Sequence, residues 1–443
     1  MIKVREYAHI TCEEAHTSSL DLGVVSTATF DWLLELQERW KGDSPILALK
    51  SRKTIKLESY VGYLQSPTGE AIEVLPKIQQ SQPSEADLSK SRILLRKMLA
   101  SALHLKPREA DSADLIRSDM PLHEWVIEQF LTELAQLVRR GLRFDYTQVE
   151  EESRFIRGQL DMARQSRQTP DRATWFHIRH DIFSPDRIEN RLLKTALGYA
   201  FKITKHPENW RLANELNHYL IDIKPCLHPQ QDIKRWQRNK LMKAYDAIKP
   251  WCQLILERMN PDFQKGEHRG IAMLFPMEKL FENFVTVNLS KQTAPGVNSR
   301  PQASSEYLVT HQPKAEREEE KWFQLQPDLL LKAPTGFAIL DMKWKLLEAV
   351  KNTTDSKYGI SQSDLYQLYS YGLKYMNGEG SMMLIYPKHE GFTTPLPVFK
   401  FDQKLNIWVV PFDLDDTCLV QGDWAYSFDK FFVFEDVELR ETA

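Results

Sequence analysis

Gln326-Pro327-Asp328-Leu329-Leu330-Leu331, followed by Ala338-Ile339-Leu340-Asp341-Met342-Lys343-Trp344-Lys345, reads as two strands joined by a tight turn. The first run, Trp322 to Leu331, ends in apolar residues. Pro334-Thr335-Gly336 supplies the turn, and Phe337 to Lys345 continues as the second strand. A hairpin of this kind carries Asp328 toward Asp341. Side chains alternate along a strand, so Asp341 and Lys343 project to the same side. Two carboxylates and an ammonium then converge. Asp341 and Lys343 interrupt a strand flanked by Leu340, Met342 and Trp344, and charges so placed need partners or a purpose.

Two carboxylates offer the hard oxygen ligands that Mg²⁺ takes. A bound cation polarises a phosphoryl oxygen and acidifies a water, and a lysine orients that water or offsets charge building on phosphorus. A surface hairpin with solvated charges is the alternative reading of the same three residues. The pattern Pro-Asp, spacer, Asp-x-Lys resembles the signature of the PD-(D/E)XK nucleases.

Length and composition leave room for such a module and more. A chain of 443 residues accommodates two or three domains, and 42% hydrophobic with 27% charged residues is globular composition. The net charge of −3 excludes a globally basic protein, so any nucleic-acid surface must be local. Cys12, Cys226, Cys252 and Cys418 form no CxxC pair, which argues against a zinc ribbon or disulfide scaffold and fits a reducing compartment. The amino terminus lacks the apolar core of a signal peptide, and no run reaches the length of a membrane span; a soluble, cytoplasmic protein is expected.

The chain divides by pattern into a β-rich stretch at 1–80, a mainly helical middle region at 81–265, and an α/β segment at 266–443. In the first, Ile2 to Tyr7, Ile46 to Leu49, Leu57 to Leu64 and Ala71 to Leu75 read as strands. A helical run through Trp32 to Gln37 ends near Gly42-Asp43, and a turn falls at Pro67-Thr68-Gly69-Glu70. Residues 79–92 read as a linker by composition. Helices are predicted through Leu94 to Leu103, over Leu122 to Arg140 with Gly141 as its cap, from Asp186 to about Lys205, from Trp210 to Ile223, and from Ile233 to Met259. Arg154, Arg157, Arg164, Arg167 and Arg172 make either a solvated face or a phosphate-contacting edge.

The last segment reads as a helix opening at Pro276, a loop at Thr293 to Ser305, three strands, a charged turn at Lys314 to Glu320, a helix from Ser363 to Met376, and a buried strand at Ser381 to Tyr386. Further strands are expected near Val398 to Phe401 and Ile407 to Val410. Glu282 on the first helix is either a third metal carboxylate or a solvated charge beside Lys279. Gln367 and Tyr371 share a face of the next helix. Gln367 can hydrogen-bond a phosphate or the attacking water, and Tyr371 can lean on a DNA backbone or pack. Lys345 points the same way as Lys343 and can approach a phosphate. The histidines form no spaced cluster.

Together, Tyr60-Val61-Gly62 with Glu73-Val74-Leu75-Pro76-Lys77, Arg157-Gly158-Gln159-Leu160-Asp161, Met277-Glu278-Lys279-Leu280-Phe281-Glu282, the Asp328 and Asp341 runs, and Asp364-Leu365-Tyr366-Gln367-Leu368-Tyr369-Ser370-Tyr371 resemble the McrC family, the nuclease subunits of McrBC modification-dependent restriction systems. The resemblance implies a multi-domain α/β chain with an amino-terminal β-domain, a helical middle, and a PD-(D/E)XK mixed sheet flanked by helices. It implies Mg²⁺-dependent cleavage of double-stranded DNA at or near modified cytosine, with catalytic roles for Asp328, Asp341 and Lys343. It also implies a McrB-like AAA+ GTPase ring as partner, entered by the amino-terminal β-domain. No Gly-x-x-x-x-Gly-Lys-Ser/Thr loop occurs, so the chain is expected to bind no nucleotide itself. The rival expectations are a non-catalytic activator of the GTPase and a standalone repair nuclease of the same fold.

Overall fold

The computed structural model describes residues 1–13, 19–40, 44–78, 85–103, 105, 120–236, 240–258, 270–313, 318–401 and 404–433. At its centre, Leu329–Ala333 and Gly336–Met342 pair antiparallel, Leu329 opposite Leu340 and Ala333 opposite Gly336. Gly336–Met342 then pairs in parallel with Gly380–Pro387, which pairs in parallel with Leu405–Asp413. Parallel neighbours need a crossover, and the helix Gln362–Tyr375 provides it. Ser361 caps that helix by accepting the Ser363 N–H. Leu368, Tyr371 and Tyr375 on its inner face pack with Leu330, Ile339, Met382 and Leu384 of the sheet. The result is the mixed sheet flanked by helices expected of the α/β class.

The chain divides into two compact units. One is built mainly from Met1–His104 and Leu274–Ala443, the other mainly from Met120–Met273. Residues 1–80 therefore share a unit with most of 266–443.

In the first unit, Ile2–Arg5 runs parallel to Ala71–Leu75, which forms a hairpin with Tyr60–Gln65. A second small sheet joins His9–Thr11 to Leu22–Val24 and to Thr54–Leu57. The helix Thr27–Arg39 is capped by Ser26, whose side chain accepts the Thr29 N–H. Alternation along Ala71–Leu75 would place Glu73 among solvated charges, but it is fully buried. Its carboxylate takes both arms of Arg92, at 3.0 and 2.7 Å, from the helix Glu85–Ala102. Removing one partner of a buried pair strands the other. Arg92→Ala is therefore expected to destabilise this unit by about 3–5 kcal/mol in denaturant unfolding.

The second unit is helical, with Leu122–Arg140, Ile188–Ile203, Pro207–Tyr219 and Lys249–Arg258, plus a three-stranded sheet. Glu124 is buried and accepts from the Thr204 hydroxyl, from the Lys205 and His206 N–H groups and from the Asn209 amide, so it serves the exposed amino end of Pro207–Tyr219. The sheet pairs Asp145–Ser153 with Phe176–Ser184, and that strand with Gln159–Leu160. Gly158 turns into the short strand at φ +66, and a Cβ there would lie 2.5 Å from the Arg179 carbonyl. Only glycine fits.

Several predicted elements differ. Trp322 to Leu331 is not one strand: Glu320–Leu325 pairs with Glu306–His311 in a separate two-stranded sheet. Phe323 has φ +58, and Pro327 has no N–H to give the ladder. The predicted helix Ile233 to Met259 is broken into Pro229–Arg235, a 3₁₀ turn at Lys240–Tyr245, and Lys249–Arg258. Pro250 explains the last break, since it fits only a first helical turn. Thr293 to Ser305 contains an edge strand, Asn298–Pro301, paired with Leu329–Ala333. The helix Glu85–Ala102 occupies half of the expected linker; Gln79 to Ser84 lie outside the described residues, as do Gly42-Asp43 and Lys314 to Arg317 of the charged turn. Among the described residues no helix is long and apolar enough to cross a membrane.

Candidate active site

The ladder ends with Leu329 opposite Leu340; Asp328 stands just before that pair and Asp341 just after it, close enough for the Asp341 charge to act on Asp328. Asp328 turns one oxygen back to accept the Met342 N–H at 2.7 Å, which fixes its rotamer. Asp341 is fully buried. The Lys343 ammonium lies 2.8 Å from Asp341 Oδ2, so alternation does put these two on the same side. Among the described residues, Asp341 Oδ1 is buried with no hydrogen-bond partner. The strand end is held in register by the Lys343 N–H, which donates to the Ile385 carbonyl at 2.9 Å.

Crowding of like charge in a dry place raises carboxyl pKa values. Burial, then the carboxylates of Asp341 and Glu282, pushes Asp328 up to about 8. Burial also raises Asp341, with Asp364 and Glu282 adding to it while Lys343 opposes. Burial alone would lower the Lys343 ammonium, but the carboxylates of Asp341 and Asp328 outweigh it and hold the group above its ordinary value. Both aspartates are thus pushed toward their protonated forms, a tendency that a bound cation would oppose.

A buried carboxylate oxygen without a partner among the described residues, with a second carboxylate within electrostatic reach, fits a hard divalent ion. Mg²⁺ commonly takes only one or two carboxylates and completes its shell with water and phosphate oxygens. Among the described residues no three His, Cys, Asp or Glu side chains are gathered as a ready-made cage. Glu282 accordingly does not close a three-carboxylate set. Its carboxylate takes the Gln302 amide at 2.7 Å and acts on Asp328 and Asp341 through its charge.

The remaining candidates fall around this core. Gln367 is exposed and donates to the Tyr371 hydroxyl at 2.6 Å, which in turn donates to the Gln326 carbonyl at 3.0 Å. Tyr371 is only 3% exposed, so it braces the turn ahead of Asp328 and offers no surface to a DNA backbone. Lys345 is exposed and its ammonium holds the Gly359 carbonyl. Arg164 and Arg172 pair with Glu150 and Glu152 at 2.9 Å each, and Arg154 lies over the Trp175 ring. Much of the basic middle stretch is thus neutralised locally.

Two neighbours were not read from the sequence. Asp364, in the first turn of Gln362–Tyr375, acts on both Asp341 and Lys343. Tyr386 is fully buried beside Asp364, and burial with the Asp364 and Asp341 charges raises its pKa. Asp364 lies one helical turn before Gln367, a spacing that places both on the same face.

A family model described as McrBC 5-methylcytosine restriction system component matches residues 55–387. Among solved structures the chain is similar to one from the refined half-complex of the tetradecameric assembly of Thermococcus gammatolerans McrB AAA+ hexamers with bound McrC. The TM-score is 0.67 at 20% identity, over 96% of this chain and 98% of that one. It is also similar to a chain of the cryo-EM structure of the Thermococcus gammatolerans McrBC complex, with a TM-score of 0.49 and 22% identity over 66% of this chain and 87% of that one. No curated protein matches. At such identity the first likeness speaks for the fold.

Proposed function

The chain belongs to the McrBC 5-methylcytosine restriction system component family, and we propose that it is the nuclease subunit of such a system. In this reading it hydrolyses DNA phosphodiester bonds at or near modified cytosine, and a McrB-like AAA+ GTPase ring activates it and is stimulated in return. The observation that carries the reading is that Asp341 lies within electrostatic reach of Asp328, its Oδ1 buried and without a hydrogen-bond partner among the described residues, while Lys343 sits 2.8 Å from Oδ2.

Asp328 and Asp341 are the residues that would hold Mg²⁺. When bound, the ion supplies Lewis-acid polarisation of the phosphoryl group and a more acidic water. Lys343, steered by Asp341, presents its N–H groups to the oxygens that gain charge at phosphorus or orients the attacking water. Gln367, fixed by Tyr371, can hydrogen-bond the same water or a phosphate oxygen, and Lys345 can meet a neighbouring phosphate. Burial around Asp341 keeps bulk water from screening these contacts.

The test combines the chain with its ring partner, GTP, Mg²⁺ and methylated double-stranded DNA. Strand breaks that require every component are expected. GTP turnover without breaks would make the chain an activator of the GTPase, and cutting without the ring would make it a standalone nuclease.

A further inference from the structure

Two stretches that carry the family resemblance take no part in the chemistry above: the Pro76-Lys77 end of the amino-terminal hairpin, and Trp344 beside Lys343. They meet at Glu6. This residue follows the strand Ile2–Arg5 and is fully buried. Its Oε1 accepts the Trp344 indole N–H at 2.7 Å and the Lys77 backbone N–H at 2.8 Å, and its Oε2 accepts the Ser59 hydroxyl at 3.4 Å.

Trp344 is 7% exposed and points away from the site, because alternation sends Lys343 and Trp344 to opposite faces. Its ring lies 5.3 Å from that of Phe281, which neighbours Glu282 on the helix Met277–Lys291. That helix begins where the Met277 N–H donates to the Ser59 carbonyl at 3.0 Å. One buried carboxylate therefore gathers the end of the amino-terminal strand, the end of the amino-terminal hairpin, and the segment just beyond Asp341 and Lys343. Beyond Met342 the segment has left the regular ladder. Its hold on the sheet is the Lys343 N–H to Ile385, and its hold on the opposite face is the indole bond to Glu6.

The geometry points to Glu6 as a positioning residue for Lys343, acting through the Trp344 indole, and this rests on the nuclease reading of the site. A short, fully buried hydrogen bond pins the face of the segment opposite the ammonium. It restricts rotation of the segment and so keeps Lys343 over Asp341. Glu6 touches no substrate in this scheme.

Trp344→Phe tests it, since it deletes the indole N–H while keeping a ring against Phe281. Losing that bond is expected to speed hydrogen exchange of the Lys343 amide about tenfold or more, while Leu384 in the neighbouring strand is unchanged. With the ring partner and methylated DNA, kcat is expected to fall about tenfold with KM for DNA within about twofold, the pattern of an interaction used in the transition state. Glu6→Gln keeps an oxygen for both N–H groups and is expected to leave both readouts near parental; Glu6→Leu is expected to match or exceed Trp344→Phe. Unchanged exchange at Lys343 in Trp344→Phe would overturn the positioning role whether or not the chain cuts DNA. Altered exchange with parental kcat would overturn it as well. Failure of the nuclease reading shows separately, as absence of cleavage by the parental chain.

Discussion

Lys343→Ala and Asp328→Ala are each expected to eliminate measurable strand scission by the reconstituted system. Loss of one group aimed at developing charge typically costs about two to three decades in rate. In the proposed mechanism Lys343 is such a group, and Asp341 lies 2.8 Å from it. Asp328 is expected to be at least as important, because without it Asp341 would be left to hold the ion with one aspartate fewer. Lys343→Ala strands the buried Asp341 charge and Asp328→Ala drops the bond to the Met342 N–H, so each should cost some stability; assayed well below their melting temperatures, both should still bind the ring and stimulate its GTPase. Asp328→Asn sharpens the test. The amide oxygen can still accept the Met342 N–H, and one of two mutually repelling buried charges is gone. That variant should melt no lower than the parental chain while failing to cut. A gel assay of methylated plasmid with a parallel thermal melt checks all three, and parental cleavage by any of them would remove the residue from the catalytic set.

The second large effect concerns pH and divalent ions. Asp328 is raised from 3.8 to about 8, and Glu6 from 4.5 to about 7, chiefly by burial in both cases. A folded state that holds protons more tightly than the unfolded chain gains stability at low pH. That gain is complete below the unfolded values and is lost as pH rises through the folded ones. Without metal, the unit carrying the site should therefore melt progressively lower between pH 5 and pH 8. Each pKa unit is worth about 1.4 kcal/mol. A loss of a few kcal/mol in a unit of this size corresponds to roughly 5–10 °C. If the site holds Mg²⁺ as proposed, the ion would take the place of the proton, restore the melting temperature at pH 8 and do little at pH 5. Asp328→Asn should flatten most of the slope, and Glu6→Gln the part between pH 5 and pH 7. Calorimetry in EDTA and in Mg²⁺ reads these outcomes, and a melting temperature that rises from pH 5 to pH 8 without metal would contradict them.

Much of this arrangement was legible in the sequence because the physics is local. Asp341 and Lys343 lie two apart in one extended run, and its alternation alone predicts that they come together. Asp328 follows from a short turn whose Pro and Gly announce it. The helix Leu122–Arg140 matches its predicted span because an apolar stripe and Gly141 define it. What stayed hidden depends on distant partners. The break in Trp322 to Leu331 reflects the pairing of Glu320–Leu325 with Glu306–His311, away from the main sheet. Asn298–Pro301 has no apolar alternation and is a strand only because Leu329–Ala333 offers its edge. The burial of Tyr371 depends on the carbonyl of Gln326, which no helical periodicity reports. Glu6 and Trp344 are 338 positions apart, so nothing near either residue signals their bond.

That separation also bears on how the protein is made. The unit holding the site is discontinuous, with Met120–Met273 lying between its two main segments. As the chain leaves the ribosome, the strand Ile2–Arg5 can join its hairpin early, but Glu6 has no indole to meet until Trp344 emerges. At about 5–20 residues per second, the stretch from the end of the first segment to Trp344 takes roughly ten to fifty seconds to synthesise. For that interval the nascent amino-terminal half displays apolar surface without its cover, while the intervening unit is free to fold. Chaperone occupancy during translation is therefore expected to peak before Trp344 clears the exit tunnel and to fall once it has.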